Sequence, residues 1–189
     1  MTRIVSGFAG SLALDVPRSG TRPTSDRVRE AIFSALEARL ELRGARVVDL
    51  YAGSGALGLE SASRGAASVT LVERDAKAAA IARRNAALVL KSAPSPAELR
   101  IDVAAQSVNA WLAGALGSEW DLVFADPPYD LAETELAAVL HGIEAVLAPD
   151  GEVIVERSTR SPGPALPDGL VLDRTKRYGE TAVHWILRG

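Results

Sequence analysis

Between Arg46 and Arg157, short apolar runs alternate with helix-patterned stretches, and this alternation constrains the fold more than any other feature. ARVVDLY, SVTLVE, ELRIDVAA, WDLVFA and EVIVER read as strands. Between them lie LGLESASRG, a long helix from Asp75 to about Leu90, SVNAWLAGAL and LAETELAAVLHGIEAVL, which read as helices. Such alternation predicts a mainly parallel sheet joined by right-handed crossovers. Ligands of such sheets bind beyond the carboxyl ends of the strands, where the strand order reverses. A last strand pair, LVLDRTKR and TAVHWILR, is predicted around Tyr178–Glu180. Upstream, residues 2–16 read as two short strands around Gly7–Gly10, a hairpin, and RSGTRP as a loop. Thr24, Ser25 and Asp26 offer caps to a helix whose apolar positions Val28, Ile32, Leu36 and Leu40 recur every four residues.

The 189 residues fit one α/β domain with a small appendage, divided as a hairpin extension over 1–22 and a main domain over 23–189. A hydrophobic fraction of 48% argues against disorder. There is no cysteine, which excludes disulfides and thiolate metal sites. His141 and His184 stand apart from each other and from any carboxylate cluster, so no metal is expected and both are placed at the surface or at strand ends. IVSGFAGSLAL faintly resembles a signal peptide, but glycines and serines interrupt it and no small-residue cleavage site follows. No apolar run approaches the roughly 18–20 residues needed to span a bilayer. A cytoplasmic monomer with no membrane contact is expected. The net charge of −3 does not advertise a nucleic-acid binder. Five arginines within the first 30 residues, and Arg174, Lys176 and Arg177 near the end, allow a local basic face or ordinary solvated charge.

VVDLYAGSGALG carries Gly53, Gly55 and Gly58 as G-x-G-x-x-G between a strand and a helix, and Glu73 ends the next strand twenty residues after Gly53. By pattern alone this fits a dinucleotide site. Asp49 points elsewhere. A carboxylate four residues before Gly53 would repel a pyrophosphate at the helix N-terminus but attract a cofactor carrying an ammonium and a sulfonium, as S-adenosylmethionine does. Small residues let the backbone approach that cofactor closely, and Glu73 can accept both ribose hydroxyls. Tyr51, Ser54 and Arg74 complete the expected cofactor contacts around Asp49, Gly53, Gly55 and Glu73. The loop is neither a nucleophile elbow, because Ala52 and Ala56 flank Ser54, nor a nucleotide P-loop, because no G-K-[ST] follows.

LVFADPPYD places Asp126, Pro127, Pro128 and Tyr129 at the carboxyl end of the fourth core strand. The prolines make a rigid corner that presents carbonyls and no N–H groups to the cleft. With Asp126 they form a set of acceptors suited to a substrate bearing N–H groups, and Tyr129 adds a flat face for a base. An exocyclic amine is a poor nucleophile because its lone pair is delocalised into the ring. Accepting hydrogen bonds from its two hydrogens turns that lone pair outward, and Asp126 can take the released proton. The four residues are the candidate catalytic set. A NAD-binding oxidoreductase is opposed by Asp49 and by the lack of a placed proton-transfer histidine, and a silent binding protein by the intact corner.

VVDLYAGSGALGLE, LVERD and ADPPY resemble the class I methyltransferases, and the tetrapeptide resembles their amino-group-modifying branch. RIVSG near the start and TRPTSDRVREAIFSAL narrow the likeness: the chain resembles the RsmD family, over nearly its whole length. The resemblance implies a Rossmann-like, mainly parallel seven-stranded sheet flanked by helices. It also implies S-adenosylmethionine as cofactor, and as target the N2 amine of a guanine in 16S ribosomal RNA within the small subunit. It assigns Thr24 and Arg27 to the cofactor's amino-acid end. The family's usual basic run after the first strand is AGSLAL here, and Gln106 and Ser107 stand where an acidic residue commonly reaches the adenine. The corner's chemistry alone leaves adenine N6 of DNA or RNA open as the target.

Overall fold

The computed structural model describes residues 2–17 and 26–189. The loop over 18–23, Thr24, Ser25 and the boundary between 22 and 23 lie outside the described residues. The N-terminal hairpin pairs β1 (Thr2–Arg3) with β2 (Ala13–Leu14), its strands far shorter than expected because turns occupy 6–11. α1 (Asp26–Glu37) follows. The core then alternates β3 (Arg46–Leu50), α2 (Ala56–Ser63), β4 (Ser68–Val72), α3 (Ala76–Ser92), β5 (Arg100–Ala104), α4 (Val108–Gly114), β6 (Trp120–Ala125), α5 (Glu133–Val146) and β7 (Leu147–Ser158). The chain closes with β8 (Leu170–Tyr178) and β9 (Thr181–Arg188).

The seven-stranded sheet runs β5-β4-β3-β6-β7-β9-β8, with β3 to β7 parallel and β9 antiparallel to both its neighbours. From β3 the order steps outward to β4 and β5 on one side and to β6 and β7 on the other. The reversal between β3 and β6 opens the crevice at the carboxyl ends of these two strands.

Both faces of the sheet are covered, so β3 is apolar at successive positions. Val47 packs with α1, α2 and α3 through Ile32, Phe33, Leu59 and Ala82. Val48 and Leu50 pack with α4 and α5 through Leu112, Leu136, Leu140 and Ile143. Val28, Ile32 and Leu36 are buried on α1, as their spacing predicts.

The hairpin is tied to α2 rather than appended loosely. Ile4, Ala9 and Leu14 belong to the α1–α3 core. Glu60, fully buried on α2, accepts the amides of Val5 at 2.6 Å and Ser6 at 3.0 Å, and Arg64 Nε at 2.8 Å. Ser63 accepts the Ala9 amide at 2.9 Å and donates to the Ser6 carbonyl at 2.6 Å. Gly7 comes so close that a Cβ there would lie 1.9 Å from the Ser63 carbonyl oxygen. Among the described residues no helix is long and apolar enough to cross a membrane.

His184 corrects the surface or strand-end expectation: it is buried mid-strand on β9 and shares a 2.9 Å hydrogen bond between Nδ1 and the Thr175 hydroxyl. Burial first, then Arg157 and Arg177, lowers its pKa. His141 is exposed on α5, within 3.7 Å of Glu144. The C-terminal basic trio is divided by the sheet. Arg174 lies over the Trp185 ring at 4.8 Å and Lys176 at 5.8 Å, while the alternation of side chains sends Arg177 to the other face.

Candidate active site

The β3–α2 loop wraps back on itself through left-handed residues. Tyr51 has φ 62°, Gly53 φ 55° and Gly55 φ 81°. A left-handed tyrosine is uncommon and strained, and it recurs where the surroundings over-determine the backbone. Here they do: the Ala52 amide donates to the Val72 carbonyl at 3.0 Å and the Gly55 amide to the Ala52 carbonyl at 2.7 Å. Gly58 serves packing instead. A Cβ on it would lie 2.4 Å from Leu71 and 3.1 Å from the Asp49 Cβ, so its absence lets α2 sit against β3 and β4.

Glu73 follows β4 and braces the loop: one carboxylate oxygen accepts the Gly53 amide at 2.9 Å and the other the Asp75 amide at 2.8 Å. Each oxygen keeps a further lone pair for a hydroxyl ligand. Asp75 caps α3 by accepting from Lys77 and Ala78.

Asp49 is the buried charged residue of β3, only 2% exposed, whereas Arg46 opens the strand at the surface. Its carboxylate accepts the Gly58 amide at 2.9 Å. Burial drives its pKa up to about 7, the nearby negative charges of Asp126 and Glu73 add to the rise, and the Gly58 N–H opposes it. Among the described residues, the charges that bear on it are those of Asp126 and Glu73. Three carboxylates therefore converge at the ends of β3, β4 and β6. A cationic ligand would relieve this arrangement and an anionic pyrophosphate would worsen it.

Beyond β6, Asp126 is half-buried, Pro127 buried and Tyr129 56% exposed. The structure corrects one expectation about this corner. The Pro128 carbonyl is not free for a substrate: it accepts the Leu131 amide at 3.0 Å and Arg157 Nη1 at 3.5 Å. An acceptor set here is thus restricted to Asp126 and the Pro127 carbonyl. Arg157 at the end of β7 also donates to the Leu131 carbonyl at 3.2 Å and to the Glu133 carboxylate.

Tyr51 lies between the two halves. Burial and Glu135 push its phenol up, and Arg74 and Arg157 oppose that. Ser54 is buried in the loop, Arg74 is exposed after Glu73, and Arg27 is exposed in the first turn of α1. Gln106 is exposed after β5, whereas the Ser107 hydroxyl caps α4 by accepting from the Ala110 amide at 3.3 Å. Thr24 lies outside the described residues. The residues brought together are thus Asp49, Tyr51, Gly53, Glu73 and Asp126. Sequence reasoning missed Arg157 and Asn85. Asn85 is a lone polar residue on the buried stripe of α3, which was a readable signal.

The family model described as "Conserved hypothetical protein 95" matches residues 2–187. The chain is 35% identical over 181 residues to the Ribosomal RNA small subunit methyltransferase D of Escherichia coli K12, covering 95% of this chain and 86% of that one. The chain belongs to the RsmD family. The Haemophilus influenzae protein of the same name is 33% identical over 165 residues, covering 85% of this chain and 80% of the other. Among solved structures, yhhF of Escherichia coli matches with a TM-score of 0.84 and 32% identity, over 99% of this chain and 97% of its own. Fold and family together make this RsmD relative a methyltransferase with the Rossmann-like seven-stranded sheet read from its sequence.

Proposed function

We propose that the chain methylates the exocyclic N2 amine of a guanine in 16S ribosomal RNA, within the assembled small subunit, using S-adenosylmethionine. The observation that carries the reading is the buried Asp49 carboxylate beside Asp126, at the ends of the adjacent strands β3 and β6. It puts a group of carboxylates next to a corner whose prolines offer carbonyls and no N–H groups. The donor set fits the cofactor: Asp49 for the ammonium end, Glu73 for the ribose hydroxyls, and the loop of Gly53 and Gly55 for close backbone approach. When bound, S-adenosylmethionine supplies an electrophilic methyl group on a sulfonium.

The chain's own residues prepare the amine. Asp126 and the Pro127 carbonyl accept its two hydrogens, which turns the lone pair out of conjugation. Asp126 then takes the proton that the amine gives up. Tyr129, exposed at the corner, offers its ring to the base. Holding both reactants in one crevice supplies much of the acceleration, since well-oriented pairs gain roughly 7–11 kcal/mol. Adenine N6 would meet the same acceptors, so the guanine rests on family membership.

The test offers labelled S-adenosylmethionine with small subunits, naked 16S ribosomal RNA and DNA, and identifies the modified nucleoside. N2-methylguanosine from the subunits is expected. N6-methyladenine, or no transfer to any of the three, would sink the reading.

A further inference from the structure

Arg157 is a charged side chain, 3% exposed, at the carboxyl end of β7. Burying a guanidinium is expensive unless its N–H groups are met. Among the described residues, the oxygens that meet it come from one stretch: the carbonyls of Pro128 and Leu131 and the carboxylate of Glu133. This stretch joins the Asp126–Tyr129 corner to the first residue of α5 and contains no regular structure of its own. Arg157 pairs in register with Ala182 of β9, so its backbone is fixed by the sheet while its head reaches out to the corner. Pro127 and Pro128 have no N–H groups, so they cannot hold the corner by donating to the sheet. The arginine does so from the other side, by donating to the corner's carbonyls.

Stability alone does not account for this arrangement. Arg157 Nε is buried with no partner among the described residues, and Glu133 is 40% exposed and so can be solvated without the arginine. Apolar side chains of similar volume in place of both Arg157 and Glu133 would fill the space without the unmet donor, an exchange that is often neutral or stabilising.

We propose that Arg157 is a positioning residue, holding the Asp126–Tyr129 corner in the geometry for transfer without taking part in cofactor binding. The proposal rests on the corner being the site of the acceptor base. A misplacement of about 1 Å at such a site can cost on the order of a hundredfold in rate.

Wild type, R157M and R157K are compared in three measurements: kcat at saturating cofactor and acceptor, cofactor affinity by calorimetry, and hydrogen exchange of the free protein. For R157M the expected result is a fall in kcat of about tenfold or more, with cofactor affinity within about twofold. Exchange should quicken in peptides covering 126–135 and stay unchanged over 49–58. R157K should recover part of both effects, because an ammonium reaches fewer of the oxygens. Unchanged kcat, or affinity falling in step with kcat, overturns the proposal. If R157M does not fold, E133Q removes the arginine's charged partner at a half-exposed position. The same split in smaller measure is then expected, and no change in kcat or exchange overturns the proposal. Exchange needs no acceptor. If wild type methylates nothing, the proposed function fails, while quickened exchange over 126–135 still upholds the hold on the corner and unchanged exchange overturns it.

Discussion

Asn85 and Ser54 are joined across α3 and the glycine loop: the Asn85 Nδ2, fully buried, donates to the Ser54 carbonyl at 2.9 Å. The same amide group donates to the Asp15 carbonyl at 2.9 Å, and Asn85 Oδ1 accepts the Asp15 amide at 3.0 Å. One side chain thus clasps Asp15, just after the hairpin, to the glycine loop. Replacement by leucine, of similar volume, leaves these backbone groups unmet, at about 1–3 kcal/mol for each that stays buried. N85L is expected to lower the urea midpoint by at least about 2 kcal/mol in stability and to weaken cofactor affinity severalfold. Calorimetry showing full affinity in the folded variant would remove Asn85 from any role in shaping the loop.

The raised pKa of Asp49, at about 7, gives cofactor binding a pH dependence. Only the ionised carboxylate attracts a cation, so affinity for S-adenosylmethionine should rise as pH climbs through about 7, with proton uptake by buffer below that point. The unliganded protein should respond in the opposite sense. A folded-state pKa above the unfolded value means the native state holds the extra proton, so this residue's contribution to stability is lost between about pH 4 and 7. D49N should bind weakly and flatten both profiles. Calorimetry across pH 5.5–8.5 and denaturant titrations at the same values check the two signs.

Asp126 and Asp49 influence each other's charge, so D126A has two separable consequences. Methyl transfer should fall at least about a hundredfold, the lower range for loss of a positioned acid–base group. Cofactor affinity at pH 8 should change little, while the midpoint of its pH dependence moves to lower pH because one of the charges raising the Asp49 pKa is gone. If the midpoint stays in place, the carboxylates are not coupled as described.

Gly58 tests the packing beneath the site. A Cβ at this position would meet Leu71 at 2.4 Å and Val69 at 2.9 Å. G58A is therefore expected to destabilise the fold by about 1–3 kcal/mol through overpacking. Its cost should fall mainly on stability, whereas G53A, where a Cβ meets no protein atom within 4 Å but the φ is +55°, should cost less in stability and more in cofactor affinity. Chemical denaturation with parallel calorimetry distinguishes the two.

The parallel core was readable because each of its strands is followed by a helix, and the run from β3 to β7 stands where alternation placed it. Asp49 was legible for the same reason, as a charge in a run otherwise apolar. What escaped notice depends on chain paths that no local pattern encodes. His184 looked like an edge residue because β9 is the last strand in sequence, yet β9 lies between β7 and β8, where both of its faces are covered. Arg157 closes the EVIVER run with no local sign of its burial, which comes from the stretch of 128–133 folded over it. The split of Arg174 and Lys176 from Arg177 was within reach, since period-two alternation separates neighbours once a strand is assigned. The hairpin of two short strands was also readable, but its docking on Glu60 and Ser63 was not, because no local pattern encodes contacts with a helix more than fifty residues away.

That docking also bears on how the chain matures. The Val5 amide meets its acceptor on Glu60, 55 residues later in the chain. At ribosomal rates of about 5–20 residues per second, that acceptor is made roughly 3–11 s after the hairpin. During this interval the hairpin has no buried carboxylate to close on, and α2, once made, carries a charge that the waiting hairpin amides and Arg64 help to bury. The hairpin is therefore among the parts that cannot settle until α2, which follows the glycine loop, has been made.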